Sequence, residues 1–465
     1  MYEFTKIERI EPEVKLSKER ITNFEEIYQP YTNTSASTQA SRCIQCGIPY
    51  CSASGCPLNN NIPQWLKFIA EQDLQLAFDI SNETSPFPEI LGRICPHDRL
   101  CEGACTLNDG HGAVTIGAIE IHISEEGFAK GLKPSFSKKL NGKKVAIIGS
   151  GPAGLSCATF LLRAGIQPIM YERADEPGGL LIYGIPEFKL QKEAVQRRVQ
   201  QLLEAGMILH LNTEVGKDIA FEDICKQHDA VFLATGATQG KVLNYEGYNS
   251  NNIFMATSFL TNIQKKLLAK PFDKKYNVIG KNVIVIGGGD TAMDCVRTCI
   301  RESAASVKCI YRRDEANMPG SKKEVKAAKE EGVTFIFNTT PKHFIANAQN
   351  EIMGMQFMRT QQNEPDATGR IAFTEVANSE HSIEADIIIL ALGFDAEQLQ
   401  FLKDNNITIN QYGNVIVNED RQSSNEKIFA GGDIVRGADL AVNAALDGRE
   451  AAYKIAEYVM NKTSM

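Results

Sequence analysis

The sequence predicts an α/β protein: two nested Rossmann-like dinucleotide-binding domains behind an α-helical, cysteine-rich amino-terminal domain. Three observations predict it. A glycine-rich strand–loop–helix unit begins at Lys143 and recurs from Asn282. The chain closes on KIFAGGD and a last helix, which must return to the first sheet. Seven of the twelve cysteines fall within the first 105 residues. The expected division is 1–140, helical and thiol-bearing; 141–238, the first part of one dinucleotide domain; 239–395, a second such domain inserted whole; and 396–465, the completion of the first.

Composition allows this. At roughly 100–200 residues per domain, 465 residues make two to four. The formal net charge is −8 and no Lys/Arg block is present, so a nucleic-acid surface is not indicated. The amino terminus, MYEFTKIERIEPEV, lacks the apolar core of a secretory signal. The longest apolar runs, such as IIILALGF, fall far short of the ~20 residues that span a bilayer. A soluble, cytoplasmic protein is expected, and in that reducing compartment a dense cysteine cluster reads as metal-binding or catalytic.

In residues 1–140, IPQWLKFIAEQDLQLAFDI carries apolar residues at helical spacing, and no strand-like alternation of any length occurs. The thiols follow the pattern C-x2-C-x4-C-x4-C-P at Cys43, Cys46, Cys51 and Cys56, then Cys95, Cys101 and Cys105. Zinc competes for them, but it favours four ligands, often as two C-x2-C pairs, and one such pair is present. A run of cysteines ending in Cys-Pro is closer to iron–sulfur sequence. Redox-active thiols are the third reading.

At Lys143 the texture changes. KKVAII is a buried-strand run, and Gly149-Ser-Gly151-Pro152-Ala153-Gly154 follows as G-x-G-x-x-G, opening a helix. The first glycine permits the tight turn, the second lets the backbone approach a pyrophosphate, and the third lets helix and strand pack closely. The next strand ends at Glu172, placed to accept from ribose hydroxyls; an acid there suits an adenosine without a 2′-phosphate. Arg173, Gly179 and Leu180, just beyond, count with this first site, as does Gly236 at the end of VFLATG.

The second unit has Gly287-Gly-Gly289-Asp290-Thr291-Ala292, a G-x-G-x-x-A loop, and its next strand leads into Arg312 and Arg313. Guanidinium groups there pair with a 2′-phosphate where a carboxylate repels it. The bland alternative is a solvated surface pair. Gly393, which ends IILALG, matches Gly236. The first site is therefore expected to hold FAD and the second NADPH. In IFAGGD, Gly432 and Asp433 can reach the ribityl and pyrophosphate region, and the helix that follows aims its amino end at the flavin. The competing role for Asp433 is a cap.

The motifs RCIQCGIPYC, CPLNNNIPQWLK, RICPHDRLCEGACTLNDG, AVTIGAIE, YGIPEFKL, VIGGGDTAMDCVRT, YRRDEANMPGS and KIFAGGDIVRGADL resemble, in order and over essentially the whole chain, the small-subunit family of bacterial NADPH-dependent glutamate synthase. The same module resembles the amino-terminal half of dihydropyrimidine dehydrogenase and the flavin subunits of some ferredoxin-linked NADPH oxidoreductases. The resemblance implies two 4Fe-4S clusters. One takes Cys43, Cys46, Cys51 and Cys105; the other takes Cys56, Cys95 and Cys101, with Glu120 where the dehydrogenase has a glutamine ligand. The competing reading of Glu120 is an exposed helix residue. Two departures from the family stand out: four residues, where many relatives have three, separate Cys51 from Cys56, and Leu91 stands where many carry an extra cysteine.

The other five cysteines, Cys157, Cys295 and Cys299 in helices behind the glycine loops, Cys309 in a strand, and Cys225, read as small buried hydrophobes. No C-x-x-C of the thioredoxin-reductase kind is present in the flavin domain, so dithiol exchange is not expected, and no histidine is assigned a catalytic role. The resemblance implies hydride transfer between cofactors without an obligatory side-chain acid or base, and electron delivery through the clusters to a large subunit that makes glutamate from glutamine and 2-oxoglutarate, as a hetero-oligomer. The alternatives are a reductase for another partner, such as a pyrimidine reductase or ferredoxin, and a zinc-bound structural protein that retains nucleotide folds.

Overall fold

The computed structural model describes residues 3–365 and 371–461. Its centre is a five-stranded parallel sheet in the order Ile428–Ala430, Ala230–Leu233, Lys144–Ile148, Gln167–Tyr171, Ile208–His210. Apart from the edge strand Ile208–His210, the strands are apolar runs buried on both faces, as a sheet sandwiched by helices requires. The carboxy-terminal strand does return to this sheet, so the second fold is inserted in the chain between Leu233 and Ile428.

The insertion builds a second five-stranded parallel sheet, Ile253–Met255, Ile387–Leu390, Asn282–Ile286, Ser306–Ile310, Thr334–Ile336. In both sheets the strand order reverses beside the strand that feeds the glycine loop, the position where such folds bind ligands. The chain leaves and re-enters side by side: Gln239–Gly240 pairs antiparallel with Phe394–Asp395. An antiparallel sheet of Thr339–Ala346, Ile352–Pro365, Ile371–Glu375 and His381–Glu384 also lies within the insertion. Nothing in the sequence reading anticipated it.

The final helix, Ala441–Asn461, packs along Pro152–Arg163, the helix of the first glycine loop. The contact is backbone-close: a Cβ on Gly448 would stand 2.1 Å from Ala153 O.

Residues before Lys143 form helices, among them Asn33–Ala40, Ile62–Ala70, Leu74–Thr84, Pro88–Ile94 and Ile116–Ala129. Thr32 and Asp73 cap two of them by accepting from Ser35 N and Leu76 N. Trp65, Phe78, Ile119 and Ile123 are fully buried at their centre, each such side chain being worth about 1.5–3 kcal/mol. This domain is fastened to the first sheet's helices by charge. Arg198 and Glu89, both fully buried, form a two-pronged pair at 2.7 and 2.6 Å, and Arg449 donates to Leu58 O and Thr84 O. No described helix is long and apolar enough to cross a membrane.

Candidate functional site

A single cavity of about 1310 Å³ runs between the two dinucleotide folds and the helical domain. That exceeds the roughly 300–1,000 Å³ of an ordinary small-molecule site. Its walls include Gly149, Gly151, Pro152, Ala153, Glu172, Arg173, Gly179, Leu180, Gly236, Gly432 and Asp433 from the first fold. Asp290 and Thr291 come from the second, and Cys95 and His97 from the helical domain. Gly154, Gly287, Gly289, Ala292, Arg312, Arg313, Gly393 and the other predicted thiols stand outside it.

The first glycine loop is shaped by its own backbone. Gly149 sits at φ 101°, and a Cβ there would be 2.4 Å from Ala234 O; one on Gly154 would be 2.1 Å from Gly149 O. Gly151 and Gly236 instead face open space, a cradle that a pyrophosphate fits. Beside it the buried Thr235 Oγ1 has no protein partner. Glu172 is more occupied than its expected ribose role needs. It accepts from Ser150 N and Ser150 Oγ on one oxygen and from Ala174 N on the other, so it also anchors the loop to the strand end. Arg173 is held by Glu397 at 2.7 Å.

Burial pushes the Asp433 carboxyl up to about 7, with Asp439 and Asp447 adding repulsion. A carboxyl protonated near neutrality can donate to a hydroxyl or phosphate oxygen. Its turn is set from behind by a residue the sequence reading missed. Asp447, fully buried on the final helix, accepts from Gly432 N at 2.9 Å and from Arg436 at 2.7 Å on each oxygen. Ala441 and Ala444 line the cavity, so the amino end of that helix faces it as expected.

The second loop repeats the design. A Cβ on Gly287 would stand 2.2 Å from Ala391 O, while Gly289 and Gly393 face open space. The Met318–Gly320 segment lies on this loop, with Gly320 N donating to Gly288 O at 3.0 Å. Arg312 is exposed, 5.1 Å from the Phe373 ring. Arg313 is half-buried, and its Nε has no partner. The unpartnered Arg313 Nε and the exposed Arg312 guanidinium at this strand end fit a 2′-phosphate.

All twelve cysteines are free. Cys43, Cys46, Cys51 and Cys105 together line a small enclosed void of about 20 Å³. Burial, reinforced by Cys105 and Cys43, pushes the Cys51 thiol up to about 12. Cys56, Cys95, Cys101 and Glu120 form the other group: burial raises all three thiols, and each feels the charge of Glu120. Glu120 is buried, not an exposed helix residue. It accepts from Asn60 Nδ2 at 2.9 Å, and burial, then Glu89, push its carboxyl up to about 8. Thiols this buried ionise against a compensating positive charge, which iron supplies.

Among the described residues no three His, Cys, Asp or Glu side chains converge tightly enough for a single ion. Thiolates that each hold a separate iron instead stand around a cluster's rim. Cys43, Cys46, Cys51 and Cys105, gathered around one void, are a donor set that suits iron–sulfur chemistry. Cys157, Cys295, Cys299 and Cys309 are fully buried in the dinucleotide folds, whereas Cys225, expected to be buried with them, is half-buried.

Comparison with known proteins matches both halves of the fold to known families. Residues 20–132 match the family "Dihydropyrimidine dehydrogenase domain II, 4Fe-4S cluster", and residues 143–448 match "Pyridine nucleotide-disulphide oxidoreductase". The glutamate synthase [NADPH] small chain of Escherichia coli is 46% identical over 97% of this chain and 97% of its own length. The putative oxidoreductase AegA of the same species is 44% identical over 97% of this chain and 70% of its own. Among solved structures, Mycobacterium tuberculosis FprA in complex with NADPH superposes with a TM-score of 0.58 over 69% of this chain and 86% of its own; at 16% identity this is a likeness of fold.

Proposed function

The chain belongs to the family of glutamate synthase small chains, within the pyridine nucleotide-disulphide oxidoreductases, and we propose that it is the electron-input subunit of such an enzyme. In this reading residues 239–395 hold NADPH, residues 141–238 with 396–465 hold FAD, and residues 1–140 hold two 4Fe-4S clusters. Bound together, these groups supply hydride transfer followed by one-electron transfer. The partner is a large subunit that makes glutamate from glutamine and 2-oxoglutarate.

One shared cavity carries the reading: Gly149–Ala153, Asp290 with Thr291, and Cys95 form its walls together. The loop that would hold the flavin pyrophosphate thus shares a space with one proposed cluster ligand and with the helix of the nicotinamide nucleotide. Cys56, Cys95, Cys101 and Glu120 are then the inner ligand set. Cys43, Cys46, Cys51 and Cys105, none of which touches that cavity, are the outer one. Ile48 and Tyr50, 65% and 53% exposed, stand between Cys46 and Cys51 and offer apolar surface for the large subunit beside the outer set. No acid or base is needed in the cavity; its residues orient the cofactors and exclude water.

A relative named only as a putative oxidoreductase aligns with 97% of this chain, which favours one second reading, a reductase for another partner. Glutamate formation decides between them. The purified chain is mixed anaerobically with NADPH, glutamine, 2-oxoglutarate and the large subunit from the same cells. Glutamate made at the expense of NADPH, and lost when either protein is omitted, supports the input-subunit reading. NADPH oxidation with dye acceptors but no glutamate replaces it with the second.

A further inference from the structure

Between Cys95 and Cys101 the helical domain carries Pro96-His-Asp-Arg99-Leu, and Arg99 reaches across to the second dinucleotide fold. Its Nη1 donates to Pro319 O at 2.9 Å, and its Nη2 stands 3.6 Å from Asp290 Oδ2. Both contacts fall on the surroundings of the second glycine loop. Gly320, next to Pro319, donates to Gly288 O at 3.0 Å, and Ser321 N donates to Asp290 Oδ1 at 2.8 Å. These segments frame Gly289, above which the space is open.

Asp290 makes this an awkward place for an anion. It is the first residue of the helix Asp290–Arg301. The amino end of that helix offers about half a positive charge to a phosphate, and the Asp290 carboxylate opposes it with a full negative one. A doubly charged pyrophosphate on Gly287–Gly289 is therefore favoured by a free cation beside Asp290; Lys189 also feels Asp290 but is already paired with Asp294 and Glu324. Arg99 is in place and available: its side chain is 45% exposed, its pairing with Asp290 is loose, and such exposed pairs hold their partners weakly. The guanidinium's several donors let one edge keep Pro319 O while the other turns to a phosphate oxygen.

We propose that Arg99 is a binding residue of the NADPH site, lent by the cluster domain, and that it pairs with the pyrophosphate of the nucleotide; this rests on the reading of Gly287–Ala292 as the NADPH loop. It follows that the loop between Cys95 and Cys101 feels nucleotide occupancy directly.

Calorimetric titration of the full cofactor-loaded chain with NADP⁺ and with 2′-AMP, which lacks the pyrophosphate, tests this. Arg99→Gln weakens NADP⁺ about 10- to 100-fold, the loss of a charge-assisted hydrogen bond, and leaves 2′-AMP, flavin content and iron content unchanged. Arg99→Lys recovers part of the loss. Arg312→Gln, at the 2′-phosphate, weakens both ligands. Unchanged NADP⁺ binding in Arg99→Gln beside a weakened Arg312→Gln overturns the proposal and keeps the nucleotide site. Equal weakening of 2′-AMP by Arg99→Gln also overturns it, since the arginine then acts through the fold. If Arg312→Gln changes neither ligand, the nucleotide reading itself fails and the proposal with it. In the parent chain, NADP⁺ but not 2′-AMP slows amide exchange over residues 98–104; equal exchange with both counts against Arg99.

Discussion

Replacing Asp447 by asparagine keeps the side chain's shape and removes its charge. The carboxylate is fully buried and receives four donors: Gly432 N and Arg436 Nε on one oxygen, Arg436 Nη2 and Arg421 Nη2 on the other. In Asp447→Asn an NH2 group faces two of those donors whichever way the amide turns. Two charge-assisted bonds are lost, at about 1.5–3 kcal/mol each in full burial. The lower end applies, because the Arg436 side chain is 33% exposed and rehydrates, and Arg421 keeps Glu450 at 2.6 Å. The expected cost is about 3 kcal/mol. For a unit of roughly 150–250 residues, 1 kcal/mol moves Tm by about 2–4 °C, so the first dinucleotide domain should melt about 6–12 °C lower.

The same turn, Gly431–Asp433, lines the cavity. If half the loss is felt on cofactor binding, the FAD dissociation constant rises about tenfold. Differential scanning calorimetry, with released flavin followed by fluorescence, reads both effects. A variant that melts with the parent and retains its flavin would refute the claim that this carboxylate sets the turn.

Three further outcomes follow from the same geometry. Burial holds the Asp433 carboxyl at about 7, above its unfolded value of about 3.9; between those values the folded chain holds a proton the unfolded chain has lost, so the contribution to stability falls as pH rises. Asp433→Asn should therefore gain Tm relative to the parent, in the flavin-free chain, as pH rises from about 4 to 7, and parallel pH profiles would sink the assignment. Arg312→Ala should raise KM for NADPH about 10- to 100-fold through the lost 2′-phosphate contact while leaving NADH nearly unchanged, which steady-state dye reduction measures. Cys95→Ser should remove the inner cluster, lowering iron and acid-labile sulfide by about half and abolishing glutamate formation while NADPH-driven flavin reduction persists; full iron content would disprove the ligand assignment.

Local chemistry made the nucleotide loops legible. A tight turn that needs Gly149 at φ 101°, followed by a helix that needs Gly154 for close packing, cannot be written many other ways. The cysteine run is equally local. What stayed hidden was tertiary. Glu120 lies on a helix whose buried residues, among them Ile116, Gly117, Ile119, His122 and Ile123, surround it on several sides, so no polar stripe told which way it faced. The strand Ile352–Pro365 did alternate, but its phase slips. Ile345 pairs with Gly354 and Ala346 with Ile352, leaving Met353 bulged out and 56% exposed. Ile352 is buried on one side of the slip and Met355 and Phe357 on the other, an odd spacing, and a period-two reading fails across such a break. Arg20 finds Glu331 from 311 residues away, which no spacing rule reaches.

Those distant pairings have a functional logic. Hydride transfer needs the two rings within a few tenths of an ångström of a productive separation, and misplacement by about 1 Å costs on the order of a hundredfold. The two dinucleotide folds are joined covalently only by the crossing strands at Gln239–Gly240 and Phe394–Asp395, a ribbon too narrow to fix their angle. Rigidity comes instead from a buried ionic chain at the junction. Lys189, from the first fold, meets Asp294 at 2.8 Å and Glu324 at 3.6 Å on the second. Glu324 meets Arg297, and Arg297, Arg301 and Arg20 converge on Glu331. Against burial, which opposes ionisation, the bonds from Arg297 and Arg301 hold the Glu331 carboxyl at about 2. An apolar interface of the same volume would be as stable or more so, yet it would tolerate sliding. Forked hydrogen bonds have one geometry and are lost on a shift of an ångström. Lys189, Asp294 and Glu324 themselves line the cavity, so the contacts that set the angle between the folds stand in the space where the proposed reading has the rings meet.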